Sequence, residues 1–203
     1  MSSIRRRLPN AITVGRLALA LCFFVLVAGL RPREAGDGDR AWLAVWVFIV
    51  AAVSDVLDGF LARRWGVVTG LGRVLDPAVD KILVIGGLVY LASPSLSPES
   101  GIAPWMVVLM IGREFLVTSL RAVIEGAGGK FPADWTGKAK MLVQCVAVPM
   151  AVGRCAIPSL AASADFCALA DGIIWLMVAL TAVSLVPAIW RGRAVLLREG
   201  ASA

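Results

Sequence analysis

The stretch "SDVLDGFLARRWGVVTGLGRVLDPAVDK", residues 54–81, sets four aspartates, Asp55, Asp58, Asp76 and Asp80, into an otherwise oily chain. Both flanks read as membrane-spanning helix, so the stretch reads as the end of one span, a short turn and the start of the next. Asp55 and Asp58 fall near the end of the first helix. Asp76 and Asp80 fall in the first turns of the second, where Pro77 suits an early helical position. An antiparallel hairpin of two such helices brings both carboxylate pairs to a similar depth.

Composition agrees with a membrane setting. The chain has 203 residues, 59% of them hydrophobic, and a mean hydropathy of +0.84. A soluble domain has an apolar fraction nearer a half and more charge. Spans are expected near residues 10–30, 41–62, 74–93, 103–124, 137–156 and 171–190, each close to the roughly 20 residues that cross a bilayer. The fold expected is all-α, a bundle of six transmembrane helices. No polar stretch is long enough to fold alone, so residues 1–203 are read as a single domain. The start, "MSSIRRRLPNAITVGRLALALCFFVLVAGL", imitates a signal peptide, but its apolar run is long and a small-residue cleavage site is poor, so it is read as a retained first helix.

Lys and Arg set the orientation. Arg5, Arg6 and Arg7, then Arg63, Arg64 and Arg73, then Lys130, Lys138 and Lys140, then Arg191, Arg193 and Arg198 fall on one side. Arg31, Arg33, Arg40 and Arg154 fall on the other. The richer side is cytoplasmic, and both termini face it, as an even number of spans requires. The net charge of +6 calls for an anionic partner. Membrane phosphate and the positive-inside bias account for it before nucleic acid does. The chain has no histidine, and its four cysteines lack metal-ligand spacing, which disfavours zinc sites and histidine triads.

Residues three or four apart on a helix share a face. At 1.5 Å per residue Asp55 and Asp58 stand about 4.5 Å apart along the axis, and Asp76 and Asp80 about 6 Å. Near mid-membrane each charge would cost about 2.5–3.5 kcal/mol if it faced lipid. The four must face a cavity, and packed together they need a positive charge between them. Hard oxygen ligands suit a divalent cation such as Mg²⁺, Mn²⁺ or Ca²⁺. Four shared carboxylates can hold two ions about 3.5–4 Å apart, an arrangement that serves phosphoryl displacement. Gly59, Gly66, Gly70 and Gly72 permit close backbone approach, and Arg63 and Arg64 suit phosphate. The plainer alternative is a set of interfacial salt bridges to Arg63, Arg64, Arg73 and Lys81. Acids at spacings of 3, 18 and 4, threaded with glycine, favour the chemical reading.

The pattern Asp-x2-Asp-Gly-x2-Ala-Arg-x8-Gly-x3-Asp-x3-Asp resembles the signature of the CDP-alcohol phosphotransferases. It is met at Asp55, Asp58, Gly59, Ala62, Arg63, Gly72, Asp76 and Asp80 without departure. "LPNAITVGR" is similar to the family's Asn-x2-Thr-x2-Arg start, and "IGREFLVTSLRAVIEGAGGKFPADWTGKAKMLVQ" is similar to its glycerophosphate branch. From about residue 150 only the hydropathy matches.

The resemblance implies a mechanism. CDP-diacylglycerol enters laterally from the membrane. Asp55, Asp58, Asp76 and Asp80 hold Mg²⁺ or Mn²⁺, two ions in all. Gly59, Ala62, Arg63, Thr69 and Gly72 hold the cytidine and pyrophosphate, and Asp80 is the general base toward sn-glycerol 3-phosphate. The resemblance also implies a homodimer in the inner (cytoplasmic) membrane with its active site facing the cytoplasm.

A dianionic acceptor needs cations of its own, and the candidates are Arg113, Arg121, Lys138 and Lys140. Each has a plainer reading. Lys138 and Lys140 serve as positive-inside anchors, Arg121 snorkels, and Arg113 pairs with an acid such as its neighbour Glu114. Asn10, Thr13 and Arg16 either cap the first helix or meet the lipid substrate's phosphates. Asp165 and Asp171 are expected to flank the sixth span in solvent, and "RPREAGDGDR" is expected to be a polar loop. A cardiolipin synthase with phosphatidylglycerol as acceptor is the nearest alternative. A divalent-cation transporter is the alternative from another class, but a transporter places its ion site near mid-membrane on broken helices.

Overall fold

Long apolar runs without the two-residue alternation of strands become helices throughout. The computed structural model describes the backbone of residues 3–32, 36–65, 70–126, 135–190 and 193. Side chains are described over 14–32, 36–54, 78–79, 81–126, 135, 137–190 and 193. The long helices are α1 (Ser3–Ala28), α2 (Asp37–Trp65), α3 (Gly70–Leu91), α5 (Pro104–Gly126), α6 (Trp135–Ala156) and α8 (Ala164–Val183). Two single turns, α4 (Ser97–Ser100) and α7 (Pro158–Ala161), sit in the connections. Among the described residues there is no strand. Every expected span is helical over nearly all of its length.

Two stretches, Gly137–Ala156 and Ala164–Trp190, are long and apolar enough to cross a bilayer by length and composition alone. Val14–Ala28 and Lys81–Leu91 are shorter apolar helices. The charged residues of the opening stretch explain part of this, because they occupy the last third of α2 and the first half of α3.

Large apolar side chains lie on the outside as well as in the core, and several polar ones are buried. Val25, Val108, Phe115, Leu142 and Trp190 are 68–78% exposed, whereas Arg16, Arg113, Lys140 and Gln144 are at most 8% exposed. Apolar residues outside and cations inside are the arrangement that a hydrocarbon solvent selects.

Helix α1 packs closely against both α2 and α3, and α6 packs against α2 and α8. The core follows helical spacing: Ala20, Phe23 and Val27 on α1, Ala41, Ala44, Phe48 and Ala51 on α2, and Ala147, Val148, Ala151 and Val152 on α6 are all buried. Phe23 and Phe48 meet with ring centroids 5.2 Å apart, and Phe24 stacks on Tyr90 at 5.6 Å. The Phe24 ring lies over Gly86, and a Cβ on Gly87 would stand 2.9 Å from Phe23 and 3.2 Å from Val148. The glycine pair is therefore what lets α3 approach α1 and α6.

Polar contacts at one end of the bundle revise two expectations. "RPREAGDGDR" is not simply a loop, because Asp37 and Asp39 form the first turn of α2. The Asp37 carboxylate accepts from the Arg31 backbone, and Arg40 donates to the Gly29 carbonyl at 2.7 Å. Asp171 does not flank its helix. Helix α8 starts at Ala164, capped by Ser163, whose hydroxyl accepts from the Phe166 N–H, so Asp171 lies two turns inside it. There it meets Arg154 of α6 at 3.4 Å, and the pair rests on Gly101, which ends α4 with φ 75°.

Replacing Gly87 by valine is expected to lower stability by about 1–3 kcal/mol through overpacking, seen as a reduced Tm in detergent. Gly112→Ala is the control. No atom lies within 4 Å of its added Cβ, and Tm should stay the same or rise slightly.

Candidate active site

About halfway along α3 and α5, and in the second turn of α6, three cations from three helices close on one carboxylate. Glu114 stands on α5, beside Arg113. Arg113 Nη1 donates to Glu114 Oε1 at 3.0 Å, and Lys140 Nζ of α6 donates to the same oxygen. Lys81 Nζ of α3 lies 3.4 Å from Oε2 and donates to Thr118 Oγ1 at 3.0 Å. Arg113 Nε donates to Ser184 Oγ at 2.9 Å, and Ser184 in turn donates to the Thr181 carbonyl at 2.8 Å. The cluster thus ties α3, α5, α6 and the end of α8 together.

Burial within the cluster is graded. The side chains of Lys140 and Arg113 are 6% and 9% exposed, that of Glu114 14%, and that of Lys81 39%. Among the described residues, three cations against one carboxylate leave two positive charges in excess. Buried cations in such a bundle are costly, which makes the cluster a candidate site. Beside the cluster lies a groove of about 390 Å³, apolar along Ile82, Ile85, Ile111 and Phe115 and charged at Lys81 and Glu114. At the start of α6, Gly137 faces Arg113, where an added Cβ would stand 3.8 Å from Nη2.

The sequence candidates divide in three. Arg113 and Lys140 are brought together, as an anion site requires. Arg121 and Lys138 are exposed and are not among the side chains that meet at Glu114. Arg16 is buried at 2% exposure on α1, the helix packed against both α2 and α3. Asn10 and Thr13 lie on α1, Asp55, Asp58, Gly59, Ala62 and Arg63 on α2, and Gly72, Asp76 and Asp80 on α3. The side chains of all these except Arg16 lie outside the described residues, as does Thr69 entirely.

Sequence reading missed the part played by Glu114 as hub and by Lys81, Thr118 and Ser184 as partners. The available signal was charge inside apolar runs: Lys81 and Glu114 each interrupt a span. Lys81 follows Asp80 directly on α3, so the cation cluster adjoins the aspartate stretch along the chain.

The four aspartates suit a divalent ion by the chemistry of their donors, carboxylate oxygens carried on two consecutive helices. Among the described residues no other group of three or more acidic, cysteine or histidine side chains could hold one.

Residues 6–183 match the family model described as CDP-alcohol phosphatidyltransferase. The chain is 40% identical over 149 residues to a Bacillus subtilis protein named CDP-diacylglycerol--glycerol-3-phosphate 3-phosphatidyltransferase, covering 70% of this chain and 74% of that one. An Escherichia coli K12 protein of the same name is 35% identical over 153 residues, covering 72% and 77%. A Streptomyces coelicolor protein named cardiolipin synthase (CMP-forming) is 33% identical over 144 residues, covering 70% and 63%.

Ser184→Ala strips the Arg113 Nε of its acceptor in a buried site. It is expected to lower stability by about 1.5–3 kcal/mol, the size of a hydrogen bond to a charged group, measured as a shift in thermal unfolding in detergent.

Proposed function

Because the chain belongs to the CDP-alcohol phosphatidyltransferase family, we propose that it transfers the phosphatidyl group from CDP-diacylglycerol to sn-glycerol 3-phosphate. The products are phosphatidylglycerophosphate and CMP. The observation that carries the choice of acceptor is the excess of two positive charges among Lys81, Arg113, Glu114 and Lys140. A phosphomonoester dianion matches that excess. Phosphatidylglycerol, the acceptor of a cardiolipin synthase, carries a single negative charge on a diester and matches it less well.

In this reading the whole chain acts as one domain with six spans and both termini in the cytoplasm. It sits in the inner membrane, and the cation cluster lies on the cytoplasmic side of the Arg154–Asp171 pair. The alternating run of the helices supports this. The end of α1, the starts of α2 and α7, and the Arg154–Asp171 pair gather at one end of the bundle. The positive-inside count then makes the other end cytoplasmic. The active form is a homodimer.

Asp55, Asp58, Asp76 and Asp80 would hold Mg²⁺ or Mn²⁺, which when bound neutralises the pyrophosphate and the charge arising on CMP. Gly59, Ala62, Arg63, Thr69 and Gly72 bind the nucleotide and pyrophosphate. Asn10, Thr13 and Arg16 meet the lipid substrate's phosphates. Arg113 and Lys140 orient the acceptor through its phosphate, with Lys81 beside them, and Arg121 and Lys138 draw it in from the surface. Asp80 takes the proton of the acceptor hydroxyl. The oxygen attacks the phosphorus bearing diacylglycerol, the bond from that phosphorus to the bridging oxygen breaks, and the electron pair leaves with CMP.

The test is CMP release from purified protein in mixed micelles with CDP-diacylglycerol and Mg²⁺. Release with glycerol 3-phosphate, and none with phosphatidylglycerol, serine or inositol phosphate, is expected. Release with phosphatidylglycerol alone would move the enzyme to cardiolipin synthesis. Asp80→Asn is expected to abolish turnover while CDP-diacylglycerol still binds, and near-normal CMP release from that variant would remove Asp80 as base.

A further inference from the structure

Glu114 is an odd residue to find in an anion site, because by charge alone it repels the ligand. We propose that Glu114 is a positioning residue of the acceptor site, holding Lys81, Arg113 and Lys140 at one point so that their remaining N–H groups converge on the acceptor's phosphate. The inference rests on the reading of Arg113 and Lys140 as acceptor-binding residues and deepens it.

The geometry carries it. The carboxylate divides its oxygens, Oε1 accepting from Arg113 and Lys140 and Oε2 facing Lys81. Those three cations stand on α5, α6 and α3, so their spacing depends on side chains that reach across helices. Arg113 is tied twice, through Nη1 to Glu114 and through Nε to Ser184. That fixes the guanidinium plane and turns Nη2 toward Gly137. A guanidinium held in one plane keeps its Nη2 donors aimed at one place, which a mobile one does not.

Two effects of removing the carboxylate oppose each other. Loss of a negative charge favours an incoming anion. Loss of the hub leaves three like charges facing one another in a largely buried space, and they separate. Lys140 and Lys81 reach the hub on long flexible stems, so separation costs them little backbone strain, and the convergent site is lost. Positioning therefore outweighs charge. The sign of the change on replacing Glu114 decides between the two.

The experiment measures the Kd of sn-glycerol 3-phosphate on the full-length protein in detergent by calorimetry, without metal or lipid substrate. It also measures KM for both substrates by CMP release. Glu114→Gln, of the same shape, is expected to weaken glycerol 3-phosphate binding by about tenfold or more and to raise its KM in parallel. The KM for CDP-diacylglycerol should stay within about twofold, a change below 0.5 kcal/mol in binding free energy. Glu114→Asp retains the charge within reach of the lysines and is expected to recover most of the affinity. It also covers the case in which the glutamine variant folds poorly.

Unchanged or tighter binding by Glu114→Gln overturns the proposal, and so does an equal rise in both KM values, which marks a general structural loss. A wild-type protein that binds glycerol 3-phosphate without turning it over defeats the proposed reaction, and the Kd comparison alone then decides the role of Glu114. A wild-type protein that does not bind it overturns the positioning role.

Discussion

Glu114 accepts from Arg113 and Lys140 through one oxygen and faces Lys81 with the other, and α3, α5 and α6 meet where it does. In water such a cluster would contribute little. Between helices surrounded by apolar surface it costs several kcal/mol of desolvation per ion. It persists because unit charges about 4 Å apart attract by roughly 4 kcal/mol at an effective dielectric of 20, and because one further donor of Lys81 and one of Arg113 find Thr118 and Ser184. Three attractions to one carboxylate compete with three repulsions among the cations, and the described side chains of the cluster keep a positive excess.

The rest of the bundle makes this placement possible. Outward positions are given to Val25, Val108, Phe115 and Leu142, and inward ones to Arg16, Arg113, Lys140 and Gln144. Helix α1 fills the space between α2 and α3 through Phe23 and Phe24, whose rings need the missing side chains of Gly86 and Gly87. That seam sets how α3 lies against its neighbours. It thereby fixes where Lys81, on the same helix as the glycine pair, can reach Glu114.

The apolar runs made the six long helices legible, because about twenty apolar residues in a row admit few other structures. Helix ends were less legible. The sixth expected span began at 171, yet α8 begins at Ala164 under the Ser163 cap. A cap needs only one hydroxyl and leaves no hydropathy signal. Asp37 and Asp39, read as loop, are first-turn acids of α2, where the helix dipole favours negative charge. The aspartate signature was legible because its members share two neighbouring helices at fixed spacing. The cluster around Glu114 was not, since spacing along one helix says nothing of which residues on three helices converge. Arg113 and Lys140 were reached by asking what a dianion needs. Glu114 was read only as the partner of Arg113, a pair the structure shows, and Lys81 only as a possible partner of the aspartates.

The two groups of charges in the bundle differ in how they are settled. At one end Arg154 meets Asp171 against Gly101, Arg40 caps the Gly29 carbonyl, and Asp37 accepts from the Arg31 backbone. Each described contact there joins a charge to an opposite charge or to a backbone group. Around Glu114 the described contacts hold cations together in excess of the acid that gathers them. A bundle that needed only to be stable would gain from replacing such a cluster with apolar side chains of the same volume. The proposed phosphate site gives such a cluster a reason that folding alone does not.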